Sequence, residues 1–239
     1  MNARTFEVAP PGLPPRLLAI PVRTPLVQPG DDLPAMIAGC VRGIAAADDV
    51  ICVAETTVAI AQGRSIAAEY VRPTLLARLL ADHAGIYATV NQPESMQLVM
   101  DNVGALKVLY ASAAAAAGRL VGRRGDFYRI LGPAVAEIDG YTGTMPPYER
   151  HIVFGPEKPD EAATVIAQAC NTHAVVVDVN DLQKVEILGA SAGVVLSAVA
   201  ECLRGNPHGN SDQQTPVVVL KYRPAPGSPA PSPLVTVSP

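Results

Sequence analysis

Asp49-Val-Ile-Cys-Val-Ala-Glu-Thr-Thr-Val-Ala-Ile-Ala-Gln-Gly-Arg64 is the stretch on which the fold reading turns. Val50 to Ala54 is a continuous apolar run, the pattern of a strand covered on both faces. Asp48-Asp49 breaks the segment before it. Thr56 to Ala61 either prolongs the strand or opens a helix, and Gly63-Arg64 ends it.

Working outward, Leu18 to Arg23 reads as a short strand. Pro29-Gly-Asp-Asp is a turn in which Asp31 or Asp32 can cap a helix, and Met36 to Ala47 carries apolar residues at helical spacing. Pro73 to His83 predicts a helix started by Pro73 or Thr74 and closed by Gly85. Pro93 opens another, through Val103. Leu106 to Ala111 is expected to be a strand, Ala113 to Ala117 is a run of small residues, and Gly122-Arg-Arg-Gly-Asp is a turn leading into a strand at Phe127 to Ile130. Beyond a polar stretch at 132–160, Pro159 to Cys170 predicts a helix capped by Asp160. Ala174 to Asp178 is a buried strand, Val185 to Leu188 another, Val194 to Leu203 an apolar helix, and Val217 to Lys221 the last strand. Strands and helices roughly alternate, so the expected class is mixed α/β, of the α+β kind.

The chain has 239 residues, a net charge of -4, 49% hydrophobic and 4% aromatic residues. The hydrophobic fraction excludes a disordered chain. An acidic balance with few aromatics argues against nucleic-acid binding, which needs clustered cations and stacking platforms. No apolar run approaches a membrane span, and the N-terminus lacks the pattern of a secretory signal. Fourteen of the 23 prolines lie in residues 1–34 and 224–239. They suggest an irregular arm at 1–18, a globular body at 19–222 and a disordered tail at 223–239. Cys40, Cys52, Cys170 and Cys202 are widely spaced in apolar surroundings, and no C-x-x-C pair points to zinc. They read as buried free thiols, with the cytoplasm as the expected compartment.

Three polar clusters interrupt the apolar background: Glu137 to Thr142, Asp178-Val-Asn180-Asp181, and Asn206 to Thr215. Carboxylates at a strand's C-terminal end are well placed for metal binding, and oxygen donors suit Mg²⁺ or Mn²⁺. The alternative for each cluster is a turn with a cap. His151 and His208 lie in these loops as acid–base candidates or ordinary turn residues, while His83 and His173 read as helix ends. Arg23, Arg64, Arg123 and Arg124 are either anion partners or surface charge. Neither a P-loop, a G-x-G-x-x-G fingerprint nor a G-x-S-x-G elbow occurs.

Pro21-Val-Arg-Thr-Pro-Leu-Val-Gln-Pro-Gly-Asp-Asp-Leu33, followed by the stretch from Asp49 to Arg64 and by Pro73-Thr74 with Ala77, resembles the gamma-glutamyl ligase family of coenzyme F-420 biosynthesis. The likeness continues in weaker form to Lys221. It implies a gamma-glutamyl ligase-like fold in an intertwined homodimer. It also implies a GTP-dependent reaction in which a substrate carboxylate is phosphorylated and the amine of L-glutamate attacks the acyl phosphate, with Mg²⁺ or Mn²⁺ steadying the phosphate. Carried over residue by residue, the nucleotide contacts fall on Thr24, Pro25, Leu26, Val27, Glu55, Thr56 and Thr142, and on Gly209, Asn210, Ser211, Asp212 and Gln213. The metal ligands fall on Asp139, Asp178, Asn180 and Asn210.

This chain departs from the family pattern at defined places. A family lysine falls on Ile60, the threonine of a D-T pair falls on Val179, and the Tyr141 to His151 segment is foreign to the pattern. Three readings therefore stand side by side. One is an amide ligase on a coenzyme F-420-0-like carboxylate acceptor. The others are a non-catalytic or regulatory homologue and a ligase on another acceptor, such as a pterin or folate.

Overall fold

The computed structural model describes residues 16–84, 89–132, 135, 138, 147–180, 182–209 and 213–223. The chain divides into two compact units, one from residues up to Gly63 together with those from Pro156 onward, the other from Arg64 to Gly155. Among the described residues there are seven strands and eight α-helices. Of the expected arm at 1–18, residues 16–18 belong to the first strand, and of the expected tail at 223–239, Arg223 ends the last one; residues 1–15, 224–239 and the helix-closing Gly85 lie outside the described residues.

The first unit is built on a five-stranded sheet: β1 (Arg16–Val22), β2 (Val50–Ala54), β5 (His173–Val179), β6 (Val185–Ala190) and β7 (Val217–Arg223). Their order is β1-β7-β2-β5-β6. β2 and β5 run parallel, while the β1–β7, β2–β7 and β5–β6 pairs are antiparallel. Residues 50–53, 174–177 and 217–220 are all buried, as the unbroken apolar runs require of strands covered on both faces. Side chains alternate between the faces. Val50, Cys52, Val175, Val177, Val218 and Leu220 meet Val199, Cys202 and Leu203 of α8 (Leu196–Leu203). On β5 and β6 lies α7 (Pro159–Cys170), packed in turn against α1 (Leu33–Val41).

Close approach fixes that packing. A Cβ on Gly189 of β6 would stand 2.2 Å from the carbonyl carbon of Pro159, so only glycine admits the start of α7. Asp160, the expected cap of this helix, does other work. Its Oδ1 accepts a hydrogen bond from Ala190 N at 2.9 Å, because the helix begins over β6 and the strand's amide is the nearer donor. α1 starts at Leu33 with Asp32 as its cap, accepting from Ala35 N at 3.1 Å, and ends at Val41, short of the expected Ala47. Gly43, at φ 76°, turns the chain out of the helix. Beneath the turn into β2, Lys221 Nζ donates to Asp49 Oδ2 and to Ile44 O, both at 2.6 Å.

The open reading of 56–61 resolves as a helix: α2 (Glu55–Ala61) follows β2 directly. His173 is not a helix end. It begins β5, and its Nδ1 lies 3.2 Å from Ala192 O. All four cysteines are free, but only Cys52 and Cys202 are buried, Cys40 and Cys170 being partly exposed. Burial, reinforced by Glu201, pushes the Cys202 thiol up to about 12, which keeps it protonated and inert.

The second unit carries, among the described residues, a two-stranded antiparallel sheet, β3 (Ser65–Ala67) and β4 (His151–Val153), and four α-helices. These are α3 (Leu75–Asp82), α4 (Pro93–Val103), α5 (Ala105–Leu120) and α6 (Asp126–Leu131). Thr74 caps α3 by accepting from Ala77 N at 3.2 Å, and His83 follows the helix's last residue. Two expected strands are helices. Leu106 to Ala111 belongs to α5, where the alanines that follow favour helix and Val108, Ala111 and Gly118 bury one helical face. Phe127 to Ile130 belongs to α6, whose first-turn Asp126 pairs at i+3 with Arg129 and backwards with Arg123 at 3.1 Å.

Candidate functional site

The sheet register gathers four of the predicted segments at one end of the first unit. Val22, the last residue of β1, pairs with Val217, the first of β7. Val217 also pairs with Val53, and Ala54 of β2 pairs with Val177 of β5. The loop after β1, the start of α2, the end of β5 and the loop before β7 therefore share that end.

Two of these loops are stitched together. Gln214 Nε2 donates to Thr24 O at 2.8 Å, and Thr24 N donates to Gln214 O at 3.3 Å. Thr24 is buried and its hydroxyl donates to Pro25 O at 2.8 Å. Val27 is buried, Leu26 partly so, and Pro25 exposed. Further along, Gly30 N donates to Ala61 O at 2.9 Å, tying the loop to the last residue of α2. The loop before β7 bends through Gly209 at φ +75°, where a Cβ would also meet the Gln213 side chain at 2.8 Å. That position favours glycine for its conformation, while the Gln213 side chain can swing aside. Gln213 is exposed, whereas Asn210, Ser211 and Asp212 lie outside the described residues.

His208 sits in the wall of this loop and is no surface residue. It is 9% exposed, its Nδ1 lies 3.3 Å from Thr215 O, and Thr215 Oγ1 donates to His208 O at 2.6 Å. Burial lowers its pKa to about 4, the carbonyls of Thr215 and Pro216 acting the other way. A carbonyl only accepts, so the neutral ring carries its proton on Nδ1.

Next along the sheet end, Ala54 N donates to Pro216 O at 2.9 Å, and Glu55 opens α2 as a buried acid with Thr56 half-buried behind it. Asp178 is the next residue of β5 after Val177, the partner of Ala54, and across the hairpin it faces Glu186. Residues directly opposite project to the same face. Burial raises the pKa of Asp178, with Lys184 lowering it and Glu186 raising it. Lys184 Nζ donates to Glu186 Oε2 at 2.9 Å, and that bond, together with the charges of Asp178 and Glu55, raises the lysine's pKa. Glu55, Asp178, Glu186 and Lys184 thus form a charged row across the ends of three neighbouring strands. Sequence reasoning reaches Glu55 and Asp178 but not Glu186 and Lys184, because only the hairpin register sets them opposite Asp178.

Asn180 serves its turn. Its Oδ1 accepts from Leu182 N at 3.0 Å and Lys184 N at 3.2 Å, the hydrogen bonds of an Asx-type turn. Asp139, Thr142 and Asp181 lie outside the described residues. Among the described residues no group of three or more His, Cys, Asp and Glu side chains is disposed to hold a metal ion. Ile60, where the family pattern has lysine, is 6% exposed inside α2. In the second unit, His151 packs edge-on against Tyr148 with ring centres 5.0 Å apart. Its Nδ1 and Ser65 Oγ are buried and make no hydrogen bond among the described residues.

The fold and this sheet end describe a mixed α/β protein with polar loops collected at the C-terminal ends of two parallel strands. Residues 21–117 match the family model F420-0:Gamma-glutamyl ligase, so the resemblance read from Pro21 onward is a family match over that stretch. The segments holding Asp139, Asp178 and Gly209 lie beyond the matched residues. No curated protein matches the chain. No helix among the described residues is long and apolar enough to cross a membrane.

Proposed function

We propose that the chain is a GTP- and divalent-metal-dependent ligase, acting in the cytoplasm as a homodimer. It joins L-glutamate to a carboxylate acceptor of the coenzyme F-420-0 kind. The family match at residues 21–117 supports the ligase reading. The observation that carries it furthest is the gathering of the Thr24–Val27 loop, Glu55-Thr56, Asp178 and the residues Gly209 and Gln213 at one end of one sheet.

In this reading the acceptor carboxylate attacks the terminal phosphorus of GTP, giving an acyl phosphate and GDP. The amine of glutamate then attacks the acyl carbon, phosphate leaves, and the amine's extra proton is lost. The loops contribute backbone amides and position, as suits a chain with no Lys-bearing phosphate motif. Oxygen donors fit a hard cation, and Asp178, joined by Asp139 and Asn210, would hold Mg²⁺ or Mn²⁺. The metal supplies charge neutralisation of the phosphates. Asn180 stands in the same set, although its oxygen already accepts two backbone amides. Glu55 would orient the Asp178 carboxylate and the nucleotide.

Incubation with coenzyme F-420-0, glutamate, GTP and Mn²⁺ is expected to release GDP and lengthen the acceptor by one glutamate. Asp178→Asn should lower kcat/KM by at least about 100-fold, the usual scale for losing a charge-stabilising group. Absence of turnover in the wild type, with no thermal shift on GTP and Mn²⁺, would favour the regulatory homologue. That reading draws on the buried Ile60 in place of a lysine.

A further inference from the structure

The outer face of α5 and the turn that follows it carry none of the residues assigned to the ligase chemistry, and they expose several large apolar side chains. Leu106, Tyr110, Ala113, Ala117 and Leu120 recur at the spacing of a single helical stripe, opposite the buried Val108, Ala111 and Gly118. Leu106 is 83% exposed, Tyr110 66% and Leu120 89%. The stripe runs into Val121, 73% exposed, at the tip of the α5–α6 turn.

Cations flank that tip in the sequence. Residues 119–129 hold Arg119, Arg123, Arg124 and Arg129 against a single acid, Asp126, in a chain whose net charge is -4. Asp126 is buried, while Arg123 and Arg129 lean on it with side chains 65% and 62% exposed. These two arginines are therefore drawn to the start of α6, a few residues along the chain from Leu120 and Val121.

We propose that the α5 stripe and the Leu120-Val121 tip dock on the surface of a bilayer carrying anionic lipids. The apolar side chains enter the acyl boundary, Tyr110 sits at the headgroup level, and the arginines meet lipid phosphates. Charge chooses this occupant over the others. A two-fold contact with a second copy centred on the tip would set two arginine clusters against each other, and one centred on Ala113 would set the arginine-bearing end of each α5 against the Lys107-bearing start of the other. A nucleic acid would satisfy the arginines but leave the leucine, valine and alanine stripe facing phosphate and water. The inference stands independently of the ligase reading.

The full chain should co-sediment with vesicles of phosphatidylcholine mixed with phosphatidylglycerol and not with phosphatidylcholine alone, and added salt should release it. Arg119→Gln and Arg124→Gln should each weaken binding about fivefold. Leu120→Asp should weaken it at least about tenfold. These side chains are exposed, and unchanged circular dichroism and Tm would show that the variants fold. Three results would overturn the proposal: no preference for anionic vesicles, binding that Leu120→Asp leaves intact, or a Leu120-dependent dimer that ignores vesicles. Binding to single-stranded RNA that needs the arginines but not Leu120 would overturn it too.

Discussion

The two units hold their residues in place by different means. In the sheet unit, position follows from strand register, from backbone running against backbone, and from polar groups locked in loops. In the helical unit it follows from one apolar face of each helix, with side chains as the adjustable parts. A Cβ added at Gly189 and one added at Gly118 would each find an atom at 2.2 Å, yet the obstacles differ. At Gly189 the obstacle is the Pro159 backbone, which cannot move without displacing α7. At Gly118 it is the Asp126 carboxylate, the end of a side chain that can swing.

The largest expected effect tests that contrast directly. Gly189→Ala should destabilise the protein by about 3 kcal/mol or more, the scale of overpacking against an unyielding neighbour. Gly118→Ala should cost about 1 kcal/mol or less, because alanine's better helix propensity offsets the displaced carboxylate. Denaturant unfolding of both variants would measure the difference. Equal losses would show that the Asp126 scaffold with its two arginines is as rigid as backbone.

The next effect is an acid sensitivity peculiar to the sheet unit. His208 has its pKa lowered from 6.5 to about 4 in the folded chain. The unfolded chain therefore takes up the proton first as pH falls. Stability from this group is complete above about pH 6.5 and drains away toward pH 4, by up to about 3 kcal/mol. Denaturation midpoints measured across that window should fall in the wild type and fall less in His208→Phe. The Gln214–Thr24 bonds should weaken first, so amide exchange around Thr24 should quicken before the strands open.

The same contrast explains which features are legible in the sequence. Val50 to Val53 and Ala174 to Val177 can be read as strands because a doubly covered strand has a continuous apolar run that few other elements share. The Asp32 and Thr74 caps are visible for a similar reason, since each immediately precedes its helix. Of the candidate site, Asp178 is legible as a carboxylate at the end of its apolar run, whereas Thr24 and Glu55 are reached through the family resemblance. Glu186 and Lys184 are not, because which residue faces Asp178 depends on a hairpin register and a turn that Asn180 organises. Asp160 misleads for a related reason: its sequence position fits a cap, but a strand amide thirty residues away wins its oxygen.

The smallest effect concerns the segment whose pattern misleads most. Leu106 to Ala111 carries the residues of a strand, and in a strand Leu106 and Val108 would share one face. In α5 they lie on opposite sides, Val108 fully buried and Leu106 83% exposed. Val108→Ala should therefore cost about 2 kcal/mol, while Leu106→Gln should stay within about 0.5 kcal/mol. The asymmetry arises because the alanines at 113–117 bring no partner strand and gain most as helix, so propensity and burial agree once the window reaches Gly118. Equal losses at the two positions in denaturant unfolding would mean that both are covered. That result would return the outer face of α5 to the core and remove the surface proposed to meet lipid.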